Sequence, residues 1–142
     1  GGSATPVDWG ELYTALQSNV VDGAENNTPS VTTAFHHEVV KYYTVNEHTM
    51  CPDVIIISLA TWNKLSEQER SWLRTAAEEA AHYQRKLWAE QEQASMQEMQ
   101  EKGMEIIYPD KQPFIDAAQP MLEKYRKDPL FKELIKDIEQ TK

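Results

Sequence analysis

Histidine and acidic side chains in the first third of the sequence are the residues whose types are best suited to chemistry. His36 and His37 are adjacent, Glu38 follows them, and His48 lies further along the chain. Imidazole and carboxylate groups are common zinc ligands, so a metal-dependent enzyme that uses His36, His37 and His48 is one interpretation. Adjacent histidines usually point in different directions, however, and neither an HExxH motif nor a pair of cysteines accompanies them. Histidines at the end of a helix are therefore the better interpretation, and no metal site is predicted.

Other signatures of catalysis are absent from the sequence. It contains no GxSxG, P-loop or GxGxxG motif, and its single cysteine, Cys51, has no CxxC partner. The net charge of -9 opposes binding to nucleic acid, because phosphates attract clusters of Lys and Arg. We therefore expect no enzyme, no cofactor and no nucleic-acid partner.

Residues suited to binding a small molecule lie among the first 48 positions. Glu25 and His48 each follow an inferred strand, so both would lie at the edge of a parallel sheet, where ligands bind in α/β folds. Two unrelated loop residues would have the same spacing. Trp9 is ambiguous in the same way, because its indole would suit either a core or the floor of a pocket.

The first elements along the chain follow from capping and turn residues. Asp8 and Glu11 have the spacing of a capping box, which predicts a short helix that ends near Asn19. Residues 20–24 are predicted to form a short strand, and the polar loop 25–30 follows it.

Extended and apolar segments come next. A second short helix is predicted up to His37, and residues 39–45 should be extended because they are rich in β-branched and aromatic side chains. Residues 53–59 are predicted to form a strand, because the apolar run over 54–57 shows no polar alternation, which is typical of a strand buried on both faces. A parallel sheet covered by helices is the architecture that uses such strands.

One long helix dominates the second half of the sequence. Ser66 and Glu69 form a capping box, and no Pro or Gly interrupts the chain before Gly103, so a helix over 66–102 is predicted. At about 1.5 Å per residue it would exceed about 50 Å. Apolar residues from 72 to 88 predict a buried face, and the end beyond Glu90 should be less buried.

The remainder of the chain is predicted to contain one strand and two helices. Residues 104–108 have the composition of a short strand, and two amphipathic helices should follow over 112–126 and 129–139.

A linked series of motifs runs through residues 4–48: ATPVDWGELYTALQ, VDGAENN, EVVKYY and EH. This series closely resembles the DctP-type solute receptors of tripartite ATP-independent periplasmic (TRAP) transporters. The resemblance continues through WNKLS at residues 62–66 and covers nearly the whole chain. The motif series is specific, whereas the part after Gly103 is generic.

The resemblance implies an α/β fold of the periplasmic-binding-protein type, with this chain as its C-terminal half, comprising parts of two lobes joined by one long helix. Residues 1–51 would be the ligand-binding segment of the second lobe. Residues 52–91 would supply a strand and the long helix, which belong to the first lobe and span both. Residues 92–142 would return to the second lobe with the C-terminal helices. The signal peptide and the N-terminal half would be absent from this chain.

The resemblance also implies a role for each candidate residue. Trp9, Asn26 and Asn27 would bind the ligand, with Trp9 packing on it and Asn26 forming a hydrogen bond with its acid group. Glu25 and His48 would orient an arginine that grips the ligand carboxylate in a bidentate pair. That arginine would come from a strand that this chain does not contain.

The ligand implied by the resemblance is a small organic acid. The AENN and EVVKYY motifs are similar to those of receptors for uronates such as glucuronate and galacturonate. Thr28 stands where those receptors commonly have Trp, so a C4 dicarboxylate or a keto acid is an alternative. The receptor would work in the periplasm and deliver its ligand to TRAP membrane permease subunits.

Self-association is a further expectation from the resemblance. The apolar strand over 54–59 would lack the neighbouring strands of its sheet, and an unpaired apolar strand pairs readily with another chain. The chain is therefore expected to associate through this strand or through the long helix.

Overall fold

A computed structural model describes residues 2–141 of the chain. Its α-helices are α1 (Leu12–Gln17), α2 (Thr28–Thr33), α3 (Leu59–Trp62), α4 (Glu67–Glu101), α5 (Gln112–Arg126) and α6 (Pro129–Gln140). Strands β1 (Tyr42–Thr44) and β2 (Glu105–Ile107) pair with each other. Short 3-10 turns occupy Trp9–Glu11 and His36–Glu38. No helix among these residues combines the length and the apolar character needed to cross a membrane.

The chain divides into two compact units. The first unit runs up to Tyr43 and includes Cys51–Ile107, and the second combines Thr44–Met50 with the residues from Tyr108 onward. Helices α1 to α4 and strand β2 therefore belong to the first unit, and α5 and α6 belong to the second.

The long helix α4 has the ends that the sequence predicts. At its start, Ser66 accepts a hydrogen bond from the Glu69 backbone N–H at 3.3 Å, and the Glu69 carboxylate accepts one from the Ser66 backbone N–H at 2.7 Å. At its end, Gly103 has a φ of 87°, and the Met104 N–H donates to the Met99 carbonyl at 2.9 Å. This is a Schellman motif, in which glycine supplies the left-handed residue that turns the chain out of the helix.

The core of the first unit lies at the C-terminal end of α4. Val31, Met99 and Met104 are buried together, and partly buried apolar residues of both strands pack around them. Beside this cluster, a hydrogen bond of 2.9 Å joins the buried hydroxyls of Thr32 on α2 and Ser95 on α4. The core therefore joins α2, α4 and the two-stranded sheet.

The burial predicted for α4 is wrong at both ends. The face from 72 to 88 is largely exposed, with Trp72 at 64%, whereas Ser95 and Met99 beyond Glu90 are fully buried. The apolar pattern identified a face that suits burial, but no described residue covers it. Helix α2 covers the other end instead.

The predicted strand over residues 54–59 is also not formed. The segment has no regular structure up to Ser58, and its apolar side chains are exposed, with Ile56 at 86%. A strand needs the backbone N–H and C=O groups of a neighbour, and the sheet of the described residues consists of β1 and β2 alone, so this segment has no neighbouring strand. The expected doubly buried strand is therefore an exposed apolar segment here.

Two local predictions near the N-terminus fail for reasons of hydrogen bonding. Asp8 makes no side-chain cap, because the backbone of the 3-10 turn closes with the Glu11 N–H donating to the Asp8 carbonyl at 2.9 Å. Residues 20–24 form no strand, because the Val20 N–H donates to the Ala15 carbonyl at 2.9 Å. Asn19 has a φ of 55°, so this is another Schellman end.

The second unit contains the two C-terminal helices, at the positions that the sequence predicts. Asp128 caps α6 by accepting a hydrogen bond from the Leu130 N–H at 2.9 Å. Arg126 forms ion pairs with Glu123 and with Glu139, which links the end of α5 to α6.

Candidate ligand-binding site

The Asn26-Asn27 pair lies in the loop before α2, where its side chains organise the backbone. The Asn26 amide oxygen accepts a hydrogen bond from the Asn27 N–H at 2.9 Å. The Asn27 amide oxygen accepts one from the Ser30 N–H at 2.9 Å, so Asn27 is the N-cap of α2. Both of these bonds use the amide oxygen. The amide NH₂ group is the donor that a carboxylate ligand needs.

Replacing Asn27 with Ala is expected to lower the free energy of unfolding by about 1 kcal/mol, because α2 loses its N-cap. Asn27→Ser keeps a capping oxygen and should lose only a small part of this. Urea unfolding followed by circular dichroism measures both variants. An equal loss of unfolding free energy in Asn27→Ala and Asn27→Ser would show that the N-cap hydrogen bond is not the cause of the destabilisation.

Tyr43 fixes the backbone of the same loop. Its hydroxyl donates to the Asn26 carbonyl oxygen at 3.0 Å, and its ring packs against the core cluster around Met99. Burial raises the pKa of the Tyr43 hydroxyl, and the carboxylates of Glu92 and Glu25 raise it further. Tyr43 therefore stays protonated and remains a hydrogen-bond donor at neutral pH.

The sequence assigned no role to Tyr43. Alternation of side chains along β1 is the signal available in the sequence, and it does not identify which tyrosine is buried; in the structure Tyr43 is half-buried between exposed neighbours. Side chains alternate between the two faces of a strand, so one tyrosine of the YYT segment must point inward.

Trp9 lies on the surface in the 3-10 turn before α1, with 55% of the residue exposed. Its ring lies edge-to-face with His36, at a centroid distance of 5.3 Å and an interplanar angle of 68°. Trp9 is therefore not a core residue, and its exposed part is accessible to a ligand.

The histidines singled out in the sequence contact separate neighbours. His36 contacts Trp9, whereas the His37 ring lies with Nδ1 3.4 Å from the Val31 carbonyl oxygen and Nε2 3.8 Å from a carboxylate oxygen of Glu98. The adjacent rings thus point to different neighbours, as the sequence predicts. No group of three His, Cys, Asp or Glu residues within the described part of the chain is arranged to hold a metal ion.

Glu25 and His48 belong to different units of the chain. Glu25 lies close enough to Tyr43 for its carboxylate to raise the pKa of that residue. His48 forms a hydrogen bond of 2.8 Å through Nδ1 with the side-chain oxygen of Asn46. Their joint role towards an arginine stays a prediction.

An open groove lies between the N-terminal segment and α1. Its lining includes Pro6, Val7, Glu11, Thr14 and Val20, but none of the five predicted site residues. The groove is also lined by Asp8 and Gly10, the chain neighbours of Trp9, so it adjoins the Trp9 turn without including the predicted ligand contacts.

The sequence and the fold both match known proteins. The family model of DctP, the bacterial extracellular solute-binding proteins of family 7, matches residues 1–128. A solute-binding protein of Chromohalobacter salexigens is 41% identical over 143 residues, a match that covers 99% of this chain and 43% of the relative.

Solved structures of TRAP periplasmic solute-binding proteins superpose on the chain. The protein of Roseobacter denitrificans with bound β-D-glucuronate gives a TM-score of 0.92 at 38% identity, covering 100% of this chain and 48% of that one. The protein of Xanthobacter autotrophicus with bound β-D-galacturonate gives 0.89 at 37% identity, with the same coverage. These matches confirm the predicted periplasmic-binding-protein fold.

The chain spans less than half the length of these relatives. The family match nevertheless extends over most of its own residues, and the motifs around Trp9 and Asn26 lie inside the matched range. The chain belongs to the DctP family of TRAP solute-binding proteins.

Proposed function

We propose that this chain forms one side of the ligand site of a periplasmic receptor that captures a uronate for membrane uptake. The observation that carries the proposal is the Asn26 loop, which the Tyr43 hydroxyl and the Asn27 cap hold in place. A fixed loop presents the Asn26 NH₂ group without a large entropic cost on binding. The relatives with bound glucuronate and galacturonate favour a uronate over other acids.

Each proposed site residue has its own part in this binding. Trp9 packs its exposed indole on the sugar ring, and Asn26 and Asn27 donate hydrogen bonds to the acid and hydroxyl groups. Glu25 and His48 orient an arginine that the rest of the receptor supplies, and its guanidinium binds the carboxylate.

The receptor is proposed to bind and release its ligand without chemical change. It delivers the acid to TRAP membrane permease subunits in the periplasm. Residues 1–51 and 92–142 belong to its second lobe. Residues 52–91 belong to the first lobe and include part of the long helix, which spans both lobes.

A thermal-shift panel tests the proposal in a reconstituted receptor. This is the chain fused to the portion of the Chromohalobacter relative that lies outside the match. Because a ligand that binds only the folded state stabilises it by about 2.7 kcal/mol at 100 times Kd, glucuronate or galacturonate should raise the melting temperature. Neutral glucose should leave the melting temperature unchanged. If only succinate or a keto acid raised the melting temperature, the ligand would be that acid and not a uronate. If no acid raised it, the proposal would be overturned.

Self-association of the isolated chain is a separate part of the proposal. The exposed segment with Ile55 and Ile56 and the exposed α4 face with Trp72 form apolar surface that another copy would cover. Light scattering should therefore give a mass above that of one chain, and the reconstituted receptor should be monomeric. A monomeric isolated chain would contradict this part.

Two charge substitutions separate the two surfaces. Ile55→Lys with Ile56→Lys should lower the mass if the segment pairs as a strand, because edge lysines oppose strand pairing. Trp72→Lys should lower the mass if the copies associate through the exposed face of α4. Thr49→Lys, at an exposed position outside both surfaces, is the control.

A further inference from the structure

His36 is the buried support of an exposed aromatic side chain. Only 4% of His36 is exposed, whereas Trp9, whose ring it contacts, is more than half exposed. One side of the indole is therefore fixed against the protein and the other is open. An edge-to-face aromatic pair of this kind stabilises a particular orientation of both rings.

The backbone on both sides of His36 is fixed. Phe35 has a φ of 59°, in the left-handed region, and its N–H donates to the Thr32 carbonyl at 3.0 Å. On the other side, the N–H groups of Val39 and Val40 donate to the His36 carbonyl at 3.0 and 3.2 Å. A left-handed phenylalanine costs about 1–2 kcal/mol and persists only where its surroundings determine the conformation. The turn therefore directs His36 towards Trp9.

The charged groups around this turn come from three elements. The turn itself carries His37 and Glu38, and Glu38 accepts a hydrogen bond from the hydroxyl of Tyr13 on α1 at 3.2 Å. Helix α4 contributes Glu98, which faces His37 rather than His36. Glu38 and Glu98 thus contact other residues, and burial and then the neighbouring His37 lower the pKa of His36 below its ordinary value of 6.5.

We propose that His36 is a positioning residue for Trp9, which neutral His36 holds in place and protonated His36 releases. A protonated imidazole must be hydrated, so the buried ring has to move away from the indole or open the turn. The part of the inference that concerns ligand affinity rests on the proposed function of Trp9, but the contact between the two rings does not.

Fluorine NMR of the chain labelled with 5-fluorotryptophan tests the contact without a ligand. The sequence has four tryptophans, and Trp9→Phe identifies the Trp9 signal. That signal should shift as the pH falls below 6.5, with the same midpoint as the His36 ring signals in the unmodified chain. His36→Phe should abolish the shift, and His82→Gln, at an exposed position on α4, should leave it unchanged. A Trp9 signal that does not follow His36 in the unmodified chain overturns the inference, whether or not the variant folds.

Ligand affinity in the reconstituted receptor is the second readout. His36→Ala should weaken glucuronate binding about 10-fold at pH 7.5, and His36→Phe should restore part of this because it keeps an aromatic support. The unmodified receptor should lose affinity as the pH falls below 6.5, and His36→Phe should show a smaller loss. Equal pH profiles for both proteins would overturn the inference. No glucuronate binding by the unmodified receptor would instead overturn the proposed function and leave the NMR result to decide.

Discussion

Replacing Asn26 with Asp is expected to lower the affinity of the reconstituted receptor for glucuronate by about 100-fold or more. The substitution exchanges an NH₂ donor for a carboxylate of the same shape. A hydrogen bond to a charged group contributes about 1.5–3 kcal/mol, and placing like charges together adds a further penalty. Because each 1.4 kcal/mol corresponds to about tenfold in Kd, the loss should reach about two orders of magnitude. Isothermal titration calorimetry measures it.

The fold should tolerate the Asn26 substitution. The bond in which the Asn26 side chain takes part uses its oxygen, which accepts from the Asn27 N–H, and Asp keeps that oxygen. Asn63→Asp, at an exposed position after α3, adds the same charge away from the site and is the matched control. Equal affinities for the two variants would show that Asn26 does not face the ligand acid.

Replacing Met99 with Ala should have the largest effect on stability, about 2–5 kcal/mol of unfolding free energy. Met99 has 0% exposure and packs with Val31 and Met104, so its truncation leaves a cavity between α2, α4 and the sheet. Its carbonyl also accepts the Met104 N–H that closes α4, but this bond remains in the variant. The expected loss therefore comes from packing alone.

Met50→Ala is the matched control for that measurement, since Met50 is 92% exposed. Urea unfolding at one protein concentration should give nearly unchanged stability for Met50→Ala and a lower midpoint for Met99→Ala. If both variants unfolded at the same urea concentration, the core would not lie where the structure places it.

Local signals in the sequence predicted the long helix and the two C-terminal helices accurately, whereas α3 was not predicted and α2 ends at Thr33 rather than near His37. The capping box at Ser66 and the left-handed Gly103 act within one or two turns, and the amphipathic patterns of α5 and α6 lie within each helix, so these signals can be read from the sequence alone. The bounds predicted for the long helix and for the two C-terminal helices agree with the structure to within one residue.

Burial was not predictable in the same way. The apolar segment with Ile56 and the α4 face with Trp72 have the patterns of buried elements, yet both are exposed because burial depends on a second surface. Ser95 and Met99 are buried for the converse reason, since α2 covers a helix end with a weak apolar pattern.

The candidate site stays a prediction of the motif series, which pointed to Trp9 and the Asn26 loop. The sequence did not reveal that Tyr43 contacts this loop or that His36 contacts Trp9. Their roles depend on contacts between elements distant in sequence, since Tyr43 lies 17 positions from Asn26. Spacing along one strand or helix does not reveal such contacts.

A crystal structure of the reconstituted receptor with bound glucuronate tests the central claim most directly. The proposed function predicts that the Asn26 amide nitrogen lies about 2.7–3.2 Å from an oxygen of the ligand, and that the Trp9 indole packs on the sugar ring. A bound glucuronate that contacts neither residue would contradict the claim that this chain supplies one side of the site.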